Sequence, residues 1–168
     1  DKTVSRVLIG DKTATGSDLY AKLPGEKKVF LVPSFVEASF DRTTFGLRDK
    51  TILSFARDKV DQIDVAAAEV TLRVKKGPER WAIEAPFAGR ADIAAVEGLI
   101  GRLQTGQMKS IAAADPTPEQ LAAWGLDAPS VTAHVGAGSA RATLTLGKED
   151  WQGNVYARDA ARPMVFTV

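Results

Sequence analysis

The two ends of this 168-residue chain repeat one pattern, and a repeat of that kind constrains the backbone more than any single residue does. Gly10 and Gly16 are answered by Gly147 and Gly153, Tyr20-Ala21-Lys22 by Tyr156-Ala157-Arg158, and Val29-Phe30-Leu31-Val32 by Val165-Phe166-Thr167-Val168. The offset is 137 residues at the glycines and 136 at the tyrosines. One residue is therefore gained or lost between them, which a loop absorbs and a strand does not. Each copy reads as a three-stranded antiparallel meander: alternation ending at the first glycine, a short loop, a strand through the tyrosine, a turn, and an apolar third strand. Pro24-Gly25 supplies the turn of the first copy, because proline presets φ and glycine accepts a positive one.

Between the copies the periodicity changes several times. Ser34 is placed to cap a short helix running to Phe40. Ile63, Val65 and Ala67 alternate with Gln62, Asp64 and Ala66, which predicts a strand with one wet face. Glu69 to Lys75 alternates cleanly, with Val70, Leu72 and Val74 on one side. Lys76 to Glu79 turns the chain, and Trp81 and Ile83 start a return strand that Pro86 ends. From Ala91 to Leu103 the period becomes helical, with Ile93, Val96, Leu99, Ile100 and Leu103 on one face. Thr117-Pro118-Glu119-Gln120 has the capping residue, the proline and the glutamine of a helix start, and Gly125 provides a left-handed stop. Val131, Ala133 and Val135 then alternate into a glycine turn, and the strand after it leads into the second copy. The predicted fold is α+β: mainly antiparallel β meanders, internally repeated, with two to four short helices packed on the sheets. Residues 1–112 form a first repeat unit and residues 113–168 begin a second; a single compact domain is the alternative.

Composition narrows the function classes. Net charge is +1, with 15 basic and 12 acidic side chains in residues 1–80 and 7 and 9 in residues 81–168. Neither part carries the concentrated positive field that a nucleic-acid backbone requires. No cysteine is present, which removes disulfides, thiolate zinc sites and cysteine nucleophiles together. The longest apolar runs are far short of the roughly 20 residues that cross a bilayer, so no membrane insertion is expected of this segment. The chain opens on Asp1 with no Met and no apolar leader, and any signal or anchor is expected to lie outside these residues. Only Asp1-Lys2-Thr3 precede the first meander, whereas Ser130 to Val135 precede the second, which leads us to expect that the chain begins inside a longer tandem protein.

Several chemical motifs are suggested and then fail on spacing. Gly10 to Ser17 resembles a phosphate loop, but five residues separate the glycines, no lysine follows Gly16, and a strand comes next. Asp58, Asp61 and Asp64 recur every third residue, whereas a calcium loop places acids at alternate positions with a central glycine and a closing glutamate. His134 is the only histidine, and it points away from Val131, Ala133 and Val135, as a solvated strand residue does. No Gly-x-Ser-x-Gly elbow is present. No catalytic, metal-binding or cofactor-binding residue is assigned. Arg48, Asp49 and Lys50, together with Trp151 in the loop of the second copy, are the candidate partner contacts. The competing reading of Arg48 to Lys50 is a corner that pairs a carboxylate and satisfies loop backbone.

The ordered set Leu8-Ile9-Gly10, Tyr20-Ala21, Val29-Phe30, Leu47-Arg48-Asp49-Lys50, Trp81-x-Ile83-x-x-Pro86, Ala91-Asp92 and Gly125-Leu126-x-x-Pro129 resembles the bacterial domain-of-unknown-function family 4340. The resemblance covers nearly the whole chain and rests on order and spacing. It implies an extracytoplasmic or periplasmic domain held by an N-terminal membrane anchor and encoded beside ABC-2 type transporters of the gliding-motility kind. The family offers no catalytic residues to carry over. The expectation is thus a non-enzymatic extracytoplasmic interaction module of a membrane-anchored ABC-transporter accessory protein, with a transporter component as protein partner. The alternative is a small-molecule or glycan binding module that uses Trp151, Tyr156 and Tyr20 as stacking surfaces in a concave site. An enzyme would need distant acids such as Asp49 and Asp92 to converge in a cleft.

Overall fold

Glycine and proline punctuation divides the N-terminal 48 residues as the alternation predicts. Strands β1 (Leu8–Lys12), β2 (Asp18–Lys22) and β3 (Val29–Pro33) form an antiparallel sheet in the order β1-β2-β3. Gly16 and Gly25 take the positive φ values, 71° and 84°, that their turns need. Helix α1 (Phe35–Phe40) follows, and Ser34 occupies its N-cap position without a side-chain hydrogen bond. The stretch after it, which carries no clear periodicity, contains a one-turn helix α2 (Thr44–Leu47), capped by the Thr43 hydroxyl accepting from the Gly46 N–H. The structure is a computed structural model and describes residues 6–168; the expectation concerning Asp1 to Thr3 lies outside them. Two compact units result, one ending at Arg48 and one running from Asp49 to Val168. This division by packing falls elsewhere than the expected division into residues 1–112 and 113–168.

In the second unit, a single 3₁₀ turn at Arg57–Lys59 leads into β4 (Gln62–Ala67), β5 (Val70–Lys76), β6 (Trp81–Ala85) and the short β7 (Gly89–Arg90). Helix α3 (Ile93–Thr105) starts at Asp92, whose carboxylate accepts from the N–H groups of Ala94 and Ala95. It buries Val96, Ile100 and Leu103, while Ile93 at its start remains exposed. Strand β8 (Ser110–Ala113) and helix α4 (Pro118–Ala123) come next. The full capping box is present in α4: Thr117 Oγ1 accepts from Gln120 N–H, and Gln120 Oε1 accepts from Thr117 N–H. Gly125 ends the helix at φ 70°. Strands β9 (Val131–Ala137), β10 (Ala140–Glu149), β11 (Val155–Asp159) and β12 (Val165–Thr167) complete the chain.

These strands join in one antiparallel sheet, in the order β7-β6-β5-β4-β9-β10-β11-β12-β8. The fold is therefore α+β and mostly antiparallel, with four short α-helices among the described residues. Ile63, Val135 and Phe166 are fully buried and share its core face, in register through Ala157; Val165, next to Phe166 on β12, is buried on the opposite face. The next residues in register, Asp64, His134 and Thr143, line up across β4, β9 and β10 on the other face.

The duplication holds at the level of individual pairs. Ile9 faces Ala21 and Lys12 faces Leu19, with a bulge between them; Leu146 faces Ala157 and Glu149 faces Val155, again with a bulge between. Tyr20-Leu31, Ala21-Phe30 and Lys22-Val29 correspond to Tyr156-Thr167, Ala157-Phe166 and Arg158-Val165. Even the loops agree: Gly16 N–H donates to the Thr13 carbonyl and Gly153 N–H to the Asp150 carbonyl.

Candidate functional site

The Leu47-to-Lys50 segment crosses the boundary between the two units, so its residues are placed separately. Arg48 closes α2, its N–H donating to the Phe45 carbonyl. In the second unit Asp49 caps the chain that follows: its Oδ1 accepts from the Thr51 N–H at 2.9 Å and the Thr51 hydroxyl at 2.6 Å. Those two bonds hold the Asp49 carboxyl below the ordinary aspartate range, reinforced by the charge of Arg162. The Lys50 carbonyl accepts from Met108 N–H at 2.8 Å, and Thr51 bridges Gln107.

Arg162 binds the other side of this segment. Its guanidinium donates to the carbonyls of Thr51 and Ile52 at 2.8 Å and to buried Asp159 at 2.9 Å, and lies 5.5 Å from the Phe166 ring centroid. Asp49 and the Lys50 backbone thus form a structural corner fixed from two sides. Sequence reading had Arg48 as the satisfier of such a corner; in the second unit Asp49 and Arg162 do that work, because a short carboxylate reaches the backbone two residues on. Asp92, the other acid on which an enzymatic reading would depend, is likewise spent capping α3.

Trp151 sits differently. It is 90% exposed, at the tip of the β10–β11 hairpin. Asp150, just before it, accepts from the N–H groups of Gln152 and Asn154, both at 2.8 Å, and from Asn154 Nδ2 at 3.0 Å. The Asn154 side chain pulls the Asp150 carboxyl below its usual range; burial opposes this, and the two backbone N–H groups and the Lys109 charge support it. Lys109 also donates to Asn154 Oδ1 at 2.9 Å, and Gly153 takes φ 80°. The indole is therefore presented to solvent by a loop whose shape is already set. The signal for this was legible as Asp-x-x-Gly before a strand, an Asx turn of known type.

Of the other aromatic candidates, Tyr156 has one ring face covered by Trp124, with centroids 5.1 Å apart and planes 19° from parallel. Tyr20 lies on β2 in the first unit with half its surface in water.

Sequence reasoning missed one polar cluster. Alternation with Ile63 and Val65 predicts Asp64 on a wet strand face. Instead it is 8% exposed, between Arg73 (Nε to Oδ1, 2.7 Å) and Arg141 (Nη1 to Oδ2, 2.8 Å), with Gln62 donating to both carboxylate oxygens. Burial pushes its carboxyl up, but the hydrogen bonds of Arg73 and Gln62 and both arginine charges outweigh that and hold it below the ordinary value. Arg141 lies 77 residues away in sequence, which is why no local pattern revealed the pairing. Arg57 turns instead to α3, bonding Glu97 at 2.7 Å and Gln104 at 3.2 Å. His134, next to Asp64 across the strands, is half-buried with Nδ1 2.7 Å from the Thr143 hydroxyl. Among the described residues no three His, Asp or Glu side chains are grouped to hold a metal ion, and no helix is long and apolar enough to cross a membrane.

Compared with known proteins, residues 1–88 and again residues 81–168 match one family model, described as a domain of unknown function (DUF4340). No curated protein and no solved structure matches the chain.

Proposed function

We propose, from the premise that this chain belongs to the domain-of-unknown-function family DUF4340 through both of its segments, that it is a non-enzymatic interaction module on the extracytoplasmic face, part of a membrane-anchored accessory protein of an ABC transporter. The observation that carries this reading is Trp151. A large aromatic fixed in solvent by a preformed loop pays little ordering entropy on contact, and such anchors dominate protein interfaces. The Asp150, Gln152 and Asn154 hydrogen bonds provide that preorganisation. Within the second unit, Asp49 and Asp92 are engaged with backbone N–H groups, which supports a structural role for them.

The test is site-specific photocrosslinking from position 151 of the anchored protein in native membranes. A transporter component in the crosslinked product supports the reading. Its absence, with the same probe at position 152 as control, overturns it.

A further inference from the structure

The second meander shows what fits on the outer edge of the first. Beyond the meander, β10 pairs with β9: Leu146 faces Val131, Thr145 faces Thr132 and Leu144 faces Ala133. Just before β9, the carbonyl of Trp124 accepts the Lys148 N–H at 2.8 Å, and the Trp124 ring lies on Tyr156. Gly147 is required there, because a Cβ at that position would collide with the Trp124 carbonyl oxygen. One capped helix, one glycine turn and one strand, Thr117 to Ala137, therefore cover this edge of the second meander.

The first meander keeps the receiving residues. Ile9, Leu8 and Val7 correspond to Leu146, Thr145 and Leu144, and all three are exposed. Among the described residues, β1 pairs only with β2. Tyr20, the counterpart of Tyr156, is 48% exposed. Gly10 is the informative residue. Its φ lies outside the left-handed region, and a Cβ there would meet only ordinary contacts with Tyr20, at 3.6 and 3.9 Å. Among the described residues of the first unit nothing calls for glycine at this position, although glycine weakens a strand and marks a close backbone approach. At the equivalent position of the second copy, that approach is the Trp124 carbonyl.

We infer that β1, Gly10 and Tyr20 form a socket for a helix–strand segment of another repeat of this family, of the same type as Thr117 to Ala137. Its strand adds antiparallel to the free edge of β1, its aromatic residue stacks on Tyr20, and the carbonyl of that residue sits over Gly10. The established β9–β10 and Trp124–Gly147 interface of the same chain is the template. The exposed apolar side chains of Val7, Leu8 and Ile9 suit such an occupant, and an open sheet edge is the surface on which strand addition occurs. This inference is independent of the reading of Trp151.

The test adds a synthetic peptide of the Thr117–Ala137 sequence to the whole chain and follows amide exchange. Slowed exchange at residues 7–10, absent with a scrambled peptide, is the expected result. Gly10→Val should abolish that protection while leaving the thermal midpoint of the chain unchanged, and Tyr20→Ala should weaken binding roughly threefold to tenfold through loss of the stack. No slowing at residues 7–10, equal slowing by the scrambled peptide, or full protection in Gly10→Val overturns the inference. So does concentration-dependent protection of β1 without peptide, which would identify the edge as an interface between copies of this chain.

Discussion

The two meanders share their register, their bulge and the hydrogen bonds of their first loop, yet they differ in what surrounds them. Phe166 is fully buried and Val165 with it; their counterparts Phe30 and Val29 are half-buried and 54% exposed. Thr167 is buried, whereas Leu31 stands in water. The more apolar strand is thus the more exposed one. Alternation, glycine placement and turn chemistry fix strand pairing locally, through backbone geometry. Burial depends on neighbours, and β9 and α4, which precede the second meander, and the more distant β8 supply them to it.

The contrast makes unequal predictions for equivalent residues. The largest difference should come from the apolar third strands. Phe166→Ala removes a fully buried ring and should cost about 3–5 kcal/mol, whereas Phe30→Ala should cost roughly half as much because its ring already touches water. Denaturant unfolding of both variants decides the matter, and equal losses would refute the idea that tertiary cover separates the copies. Next come the glycines. Gly147→Ala drives a Cβ into the Trp124 carbonyl and should destabilise by about 1–3 kcal/mol; Gly10→Ala should leave stability unchanged or raise it by up to about 1 kcal/mol. A thermal shift for Gly10→Ala as large as that for Gly147→Ala would mean that the two positions are equivalent after all.

Acid should act on the second unit through Asp64. Its folded carboxyl titrates below the ordinary aspartate value, so its contribution is fully present above about pH 4, the unfolded value, and disappears as pH falls through the lower folded value. Unfolding measured from pH 6 down to pH 2 should show that loss, and Asp64→Asn should flatten part of it. A variant that keeps the whole wild-type slope would remove Asp64 from the account. The smallest effect concerns the loops. The first copy has Thr13 where the second has Asp150, and each accepts from the backbone N–H at the start of the next strand: Asp18 N–H at 3.3 Å and Asn154 N–H at 2.8 Å. Only the carboxylate titrates. As pH falls through the folded value of Asp150, which lies below the ordinary aspartate value, the Asn154 amide should lose protection relative to its intrinsic exchange rate while the Asp18 amide does not, and Asp150→Thr should abolish the difference.

Much of the architecture could be read from residues near one another in the chain. The Thr117 capping box, the left-handed Gly125, the Pro24-Gly25 turn and the Trp81 return strand all appear where their patterns place them, because each depends on contacts a few residues apart. Ser34 marks a helix start but makes no capping bond, and the single turn α2 escaped notice because four residues are too few to show a period. The exposed Trp151 could be singled out as an aromatic the meander leaves unexplained, and the Asp150 turn that presents it has a local signal in Asp-x-x-Gly, though the bond from Lys109 to Asn154 has none.

Local pattern therefore accounts for the paired meanders, their register and the family to which the chain belongs, since strand alternation and turn residues act over a few positions and repeat wherever the residues repeat. Long-range packing accounts for the rest: that β4 lies against β9, that Asp64 meets Arg141, and that, among the described residues, the second meander is flanked by β8 while the first pairs with no further strand. The β4–β9 pairing joins residues 64 to 74 apart, and Asp64 meets Arg141 at a separation of 77; no local spacing encodes such a meeting.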